Sequence, residues 1–527
     1  MSERTGLHPS NILSEDIDRA SDRDARSMNI AVGRAVADVV KTTLGPRGRD
    51  KMLADQGGGL AVTNDGETVL SMMDIEHPAG KIVADVASTQ KAEVSDGTTT
   101  AVILTGSLLK ESERLLDDGI HSTTIERGYH QAIDRVRELL PEIAIDITAD
   151  SGILQEVAAT AMTGKNVDVA RDHLSSLVVE AVRTVDQRDG DDIVVESVGS
   201  GTPKESELLE GVLIEEERIH DHMPYNIDDP TVLVYGSDLT FDDAQSDPAI
   251  DITDPGQFET IIEEEERQFR DMADEVSEAD VVLVDGNVDD MVMHFLAEEG
   301  VLAFDQVDKE DQRAIVRATD AWVVSDLDEL SDSDLGHARS VERRIFGDDE
   351  YVAFASDTDP GEVTLLLRSG TEHVGKEMEI AVTDAVDAVE IALEEGAVLP
   401  GGGASEIELA RQLRSDADAI DGREQLAVEA FANALETIPR TLARTAGRDP
   451  IDILTELRTH HAEGAIATGL DATTGDVAEM TARGVVEPLR VKNAAIDSAV
   501  DATVTIVRID DMIAASNFNE PNTDILS

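Results

Sequence analysis

Strand-like and helical runs alternate through the middle of this chain, whereas both ends read as helical, and that arrangement limits the fold more than any one motif. Val281-Val282-Leu283-Val284 leads into a helical pattern over 289–299, then Val301-Leu302-Ala303-Phe304, a second helical pattern over 309–319, and Trp322-Val323-Val324. Apolar strands separated by amphipathic helices specify βαβ units and a largely parallel sheet. Residues 193–196 and 232–235 are strand-like as well. In the first third, Met28, Val32, Val36, Val39 and Val40 recur at helical spacing and stop at Leu44-Gly45-Pro46. A strand is predicted at 60–63, followed by a turn at Asn64-Asp65-Gly66 and helices over 67–73, 80–92, 101–116 and 124–140. The last third is helical over 371–391 and again beyond Ala404. The two helical ends are therefore expected to pack together, with the α/β middle inserted between them. Trp322, the only tryptophan, is expected in the core. In an insertion-like segment over 241–276, Phe258, Ile261, Ile262, Phe269, Met272 and Val276 make one apolar helical face. It reads either as a surface helix packed on its own domain or as a projecting arm.

Charge separates the possible states of such a chain. Lys and Arg number 43 against 112 Asp and Glu, a net charge of -69, with only 3% aromatic residues. High charge with few aromatics is a signature of disorder, but 41% hydrophobic residues in regular periodicity favour a folded protein adapted to concentrated salt. Screening supplies the reason: the Debye length shrinks from ~10 Å at 0.1 M salt to ~3 Å at 1 M. Nucleic acid is excluded as a partner for this surface. The absence of cysteine removes disulfides, thiolate metal sites and a cysteine nucleophile. No stretch approaches the ~20 apolar residues of a membrane span, and residues 1–5 do not open a signal peptide. The expectation is a cytoplasmic protein of roughly three domains.

Asp96-Gly97-Thr98-Thr99-Thr100 places a carboxylate, a glycine and three hydroxyls directly before an apolar helix. A helix start offers free N–H groups and the positive end of a dipole, which suit phosphate. The aspartate repels phosphate unless a Mg²⁺ stands between them. The run therefore suggests a Mg-nucleotide site, although Asp-Gly-Thr is equally an ordinary capped turn. Three further elements read as parts of the same site. They are Thr42-Thr43-Leu44-Gly45-Pro46-Arg47-Gly48, the turn Asn64-Asp65-Gly66-Glu67-Thr68, and Leu399-Pro400-Gly401-Gly402-Gly403-Ala404. A Walker-type loop is ruled out, because Asn166 follows Gly164-Lys165 and Ala159 stands where the first glycine is needed. The Rossmann glycine pattern is missing too.

In this order and at these separations, the four motifs make the chain resemble the chaperonins, and in detail the group II branch of the archaeal thermosome and the eukaryotic cytosolic chaperonin. Arg368-Ser369-Gly370-Thr371-Glu372-His373-Val374, Glu487-Pro488-Leu489-Arg490-Val491-Lys492 and Arg508-Ile509-Asp510-Asp511 carry the resemblance further, over about 12–515. It implies a multidomain α+β and α/β fold: a mainly helical equatorial ATP-binding domain (1–147 plus 406–527), a small hinge domain (148–218 plus 371–405) and an α/β apical domain (219–370) with a helical protrusion as lid at about 241–276. It implies an ATPase that drives protein folding, with identical or paralogous subunits in a double ring around unfolded polypeptide and no separate lid co-chaperonin. The roles it implies are Asp96 on Mg²⁺, with Gly97, Thr98, Thr99 and Thr100 as phosphate donors. Thr43, Leu44, Gly45, Pro46 and Gly66 would line the phosphates, and Lys165 would sense the terminal one. Gly402, Gly403 and Glu487 would hold the nucleoside end, while Asp65 and Asp384 would position and activate the attacking water. On its residues alone Asp384 is one more solvated acid; only the resemblance singles it out. Ser95, where a glycine is usual, and Glu67, where a small residue is usual, depart from the pattern, as does Val284-Asp285-Gly286-Asn287, where a more basic stretch is usual. Ser95 and Glu67 leave room for a rival reading, a holdase or structural ring without productive cycling.

Overall fold

The computed structural model describes residues 19–21, 23–54, 60–147, 152–165, 167, 169–185, 193–240, 255–327, 330–356 and 363–513. These fall into two units. One joins Met1–Lys165 to Ile391–Ser527, and the other is Asn166–Glu390.

The first unit is built from both ends of the chain. Its helices are α1 (Arg23–Val40), α2 (Gly66–Ser71), α3 (Pro78–Val94), α4 (Thr98–Asp117), α5 (Ser122–Ile143), α6 (Gly152–Ala161), α12 (Ala404–Ala417), α13 (Glu424–Leu435), α14 (Thr437–Thr445), α15 (Pro450–Ala462) and α16 (Leu489–Arg508). Central among them is α4, which packs against α1, α3, α13, α14 and α16. After its threonine first turn, the run Ala101-Val102-Ile103-Leu104 presents no polar face, and all four residues are buried. With so few aromatics the core is made of Ala, Val, Leu and Ile; Tyr129 and Phe431 meet edge to face at 5.8 Å. The Tyr129 hydroxyl donates to Leu108 O at 3.2 Å and lies 3.0 Å from Ser112 Oγ, and burial holds its acidity well below that of a free phenol. Lys51–Ala54 and Leu60–Thr63 form an antiparallel hairpin. Ala397–Pro400 lies between Val486–Pro488 and Ile145–Asp146, antiparallel to both. Arg19–Ser21 pairs antiparallel with Asp511–Ile513, which fastens the two ends of the chain together.

Two buried acids brace this unit. Glu436, 0% exposed, takes Arg414 at 2.7 Å, Arg458 at 2.5 Å and Arg440 at 3.4 Å. Burial works against its charge, but hydrogen bonds from Arg458 and Arg414 win and hold it below the ordinary carboxylate range. Glu408 is likewise penalised by burial, yet accepts from His461 at 3.0 Å, Arg411 at 2.6 Å and Gln412 at 2.9 Å, and titrates at about 2. Because its folded value is depressed from 4.5, its contribution is complete above that value and disappears as pH falls through about 2. Glu408→Gln is expected to remove about 3 kcal/mol of neutral-pH stability and to flatten the acid slope between about 4.5 and 2. Urea unfolding at constant KCl across that range checks this; parallel curves for variant and parent would refute it.

The second unit holds α7 (Arg171–Thr184), α8 (Pro255–Val276), α9 (Asp290–Glu299), α10 (Lys309–Thr319) and most of α11 (Glu372–Glu395). Its main sheet runs Leu302–Phe304, Val281–Val284, Thr231–Tyr235, Gly336–Phe346, Asp349–Ser356, Gly211–Ile214. The first three strands are parallel, as the βαβ pattern predicts, and the remaining neighbours are antiparallel. All four residues of Val281–Val284 are buried, as expected for a parallel strand covered on both faces. A smaller sheet pairs Val363–Arg368 with Ile193–Val198 and Glu207–Leu209.

The expected core position of Trp322 is not observed: it is 69% exposed. Ala321 and Val324 are buried, whereas Trp322 and Val323 are exposed, because a two-residue strand paired only along Thr231–Tyr235 has no cover for its outer side. Along α8, Ala273 and Val276 are buried in the unit's own core, with Phe269 and Met272 against it. That half of the helix packs on its own unit; residues 241–254 and the side chains of Phe258, Ile261 and Ile262 lie outside the described residues. Among the described residues no helix is long and apolar enough to cross a membrane.

Candidate functional site

The sequence motifs of the first unit meet through a chain of close contacts. After α1 a single 3₁₀ turn, Lys41–Thr43, ends at Leu44, and Thr43 Oγ1 donates to Val40 O at 2.9 Å. Gly45 follows at φ +82, where Leu442 would stand 2.6 Å from any Cβ. Both the left-handed backbone and the close approach require glycine there. The turn after α6 lies on this loop: a Cβ on Gly164 would be 3.1 Å from Gly45 O and 3.5 Å from Pro46 Cα. Lys165 is the next residue, its N–H donating to Met162 O at 3.3 Å. Asn64 Nδ2 donates to Gly164 O, which ties the Asn64-Asp65-Gly66 turn to the same place.

Asp65 caps α2, with Oδ2 accepting from Thr68 N at 2.7 Å and Thr68 Oγ1 at 2.9 Å. This cap fixes the carboxylate in position. A Cβ on Gly66 would be 2.4 Å from Thr99 Oγ1, so this turn sits directly on the start of α4. There Gly97 is the N-cap at φ +76 and no side chain caps the helix, which leaves the N–H groups of Thr98, Thr99 and Thr100 directed out of its end. Asp96 Oδ1 accepts from Gly97 N at 2.6 Å. Gln90 Nε2 reaches both Asp96 O at 2.9 Å and Val491 O at 3.1 Å, joining the run to the start of α16. Ser95 takes the left-handed conformation that a glycine would accept without strain (φ +53); its N–H donates to Lys91 O at 3.0 Å and its hydroxyl reaches the same oxygen at 3.4 Å.

At the other side of the site, Glu487 lies opposite Leu399 in the strand pair leading to Gly401. Gly402 and Gly403 are both left-handed, with Gly402 O accepting from Leu470 N at 2.9 Å. Lys492, 4% exposed, holds Glu487 at 2.9 Å and also binds Glu406. Burial pushes the Glu487 carboxyl up against the pull of Lys492, and the charges of Glu406 and Asp96 push the same way. Asp96 and Glu487, far apart in the chain, thus sense each other.

Asp384 lies on α11 in the second unit. It is only 2% exposed, so it is not one more solvated acid. Sequence reasoning passed over Gln90, Glu406 and the role of Lys492. The available signal was a lysine on the face that carries Val491, Ala495 and Ile496, since a buried lysine needs carboxylate partners.

The chain matches the TCP-1/cpn60 chaperonin family over residues 36–517. It is 48% identical over 523 residues to thermosome subunit alpha of Halobacterium salinarum, covering 98% of this chain and 93% of that one. Thermosome subunit 1 of Haloferax volcanii is 49% identical over 521 residues, with 98% and 93% covered. Thermosome subunit beta of Archaeoglobus fulgidus is 45% identical over 519 residues, with 97% and 95% covered. The chain belongs to the TCP-1/cpn60 chaperonin family. Within it the chain stands with the group II, archaeal members, and its function is that of an ATP-dependent chaperonin.

Proposed function

We propose that the cluster on the first unit binds Mg-ATP and that its hydrolysis drives a folding cycle in a double ring of identical or paralogous subunits. The observation that carries this reading is the uncapped start of α4, with Asp96 before it and the Asp65-Gly66 turn against Thr99. The N–H groups and hydroxyls of Thr98, Thr99 and Thr100, with Gly97 and the 43–46 loop, receive the phosphates. Lys165, on the turn touching that loop, faces the terminal phosphate. Gly402, Gly403 and Glu487 hold the nucleoside. Asp65, fixed by its cap, and Asp384 position and activate the attacking water.

Asp96 fits Mg²⁺. Among the described residues no three His, Cys, Asp or Glu side chains form a metal cage, but Mg²⁺ bound to phosphates needs only one or two carboxylates. When bound, the ion neutralises phosphate charge beside Asp96, which is what phosphoryl transfer mainly requires. Non-native polypeptide is the substrate, α8 with the preceding segment forms the lid, and the assembly works in the cytoplasm. The test is nucleotide binding by Asp96→Ala in concentrated KCl. Loss of Mg-dependent ATP affinity by at least about tenfold, with circular dichroism unchanged, is expected. Unaltered Mg-dependent binding would overturn the assignment.

A further inference from the structure

A cavity of the first unit lies apart from the residues assigned to nucleotide above. It measures about 240 Å³ and opens where α1, α4 and α14 converge. The helices approach closely because Gly106 has no side chain: a Cβ there would stand 2.4 Å from that of Ala37. Ala37, Ile103 and Gly106 line it without polar side chains, and Ser107, Thr437 and Thr441 add hydroxyls. Ser107 Oγ and Thr437 Oγ1 are 2.6 Å apart, and Thr441 Oγ1 donates to Thr437 O at 2.7 Å.

The charged side chains around it are Arg34, Lys41, Lys110, Arg440 and Arg444, against the single acid Asp38. Five of twelve lining residues are basic in a chain where 43 of 527 are, the reverse of the balance elsewhere. Arg34 is paired with Glu113 at 2.5 Å, Lys41 with Asp38 at 3.5 Å and Arg440 with Glu436 at 3.4 Å. Lys110 and Arg444 have no carboxylate within 4.0 Å among the described residues.

A cleft lined by one sign of charge concentrates the opposite sign, and guanidinium, ammonium and hydroxyl donors together match tetrahedral oxyanions. The volume is roughly eight times the ~30 Å³ liquid share of a water, which is room for more than one such group. We propose that this cavity binds a compact polyanion of the phosphate class, held by Lys110 and Arg444 with the hydroxyls beside them. A carboxylate of a second copy could meet the same cations, but the recess opened by Gly106 and lined by hydroxyls suits a small anion better than a side chain from a flat neighbour.

The full-length protein is titrated with inorganic pyrophosphate in EDTA and concentrated KCl by calorimetry. In EDTA the Asp96 carboxylate stands without Mg²⁺ and repels phosphate at the nucleotide site, so the unsubstituted protein serves as the background. One saturable site per chain is expected in that background, weakened at least about tenfold by adding Lys110→Ala and Arg444→Ala, with circular dichroism unchanged. No saturable binding, or binding indifferent to the two substitutions, overturns the proposal. So does a Lys110→Ala, Arg444→Ala variant that binds pyrophosphate as the parent does but sediments as a different assembly, since its cations would then face another copy of the chain.

Discussion

Asp384→Ala is expected to keep ATP binding and to lose ~10²–10⁴ in turnover, about 3–5 kcal/mol of barrier. The argument has two independent parts. A chain with 112 acidic residues keeps most of them in water, yet Asp384 is 2% exposed on α11. Burying a carboxylate is costly unless it is used or firmly partnered. The second part is its place in Thr383-Asp384-Ala385, to which the resemblance to the chaperonins gives, and the proposed function assigns, the positioning of the attacking water. Phosphate release and nucleotide binding, measured side by side in concentrated KCl, separate chemistry from affinity. Asp384→Asn, which keeps the shape, should be nearly as slow as Asp384→Ala. Turnover equal to the parent in both variants would remove Asp384 from the reaction, and an Asn variant that alone recovers activity would make it a structural residue.

Removal of salt has the larger effect on the molecule as a whole. Dialysis from multimolar KCl to about 0.1 M, which lengthens the screening distance from ~3 Å or less to ~10 Å, is expected to unfold or disassemble the protein. The second unit should yield first. Burial and mutual repulsion push Glu196 and Glu216 up to about 7, and Asp311 up to about 6. Acids raised in this way favour the folded state below their ordinary range and oppose it as pH rises through about 6–7. At low salt, a shift from pH 8 to pH 6 should therefore recover part of the lost structure. Circular dichroism and sedimentation test both statements; helicity and assembly unchanged on desalting would refute the first, and greater loss at pH 6 the second.

The elements visible in the sequence are those whose signal is local. The apolar run at 101–104 announces α4, and the alternation over 281–324 announces the parallel strands, because in both the periodicity of one segment decides the outcome. The four motifs are visible for the same reason, since each is a short run of glycines, hydroxyls and carboxylates, but the roles given to their residues come from the resemblance and not from any single turn. The hairpin of Gly336–Phe346 and Asp349–Ser356 was not, since Glu342, Arg343 and Arg344 interrupt the two-residue alternation on the longer strand. Trp322 was misplaced because composition says how often tryptophan is buried, not whether its edge strand is covered. Gln90 bridging Asp96 and Val491, and Lys492 between Glu406 and Glu487, span up to 401 residues, a distance no window on the sequence can cross.

Pairing Arg19–Ser21 with Asp511–Ile513 joins two segments far apart in the sequence into a single element. An isolated two-stranded ribbon is marginal in water and persists only while both halves are present. Deleting either strand leaves the other without its partner, and a nascent chain lacks this clasp until residues 511–513 have been made.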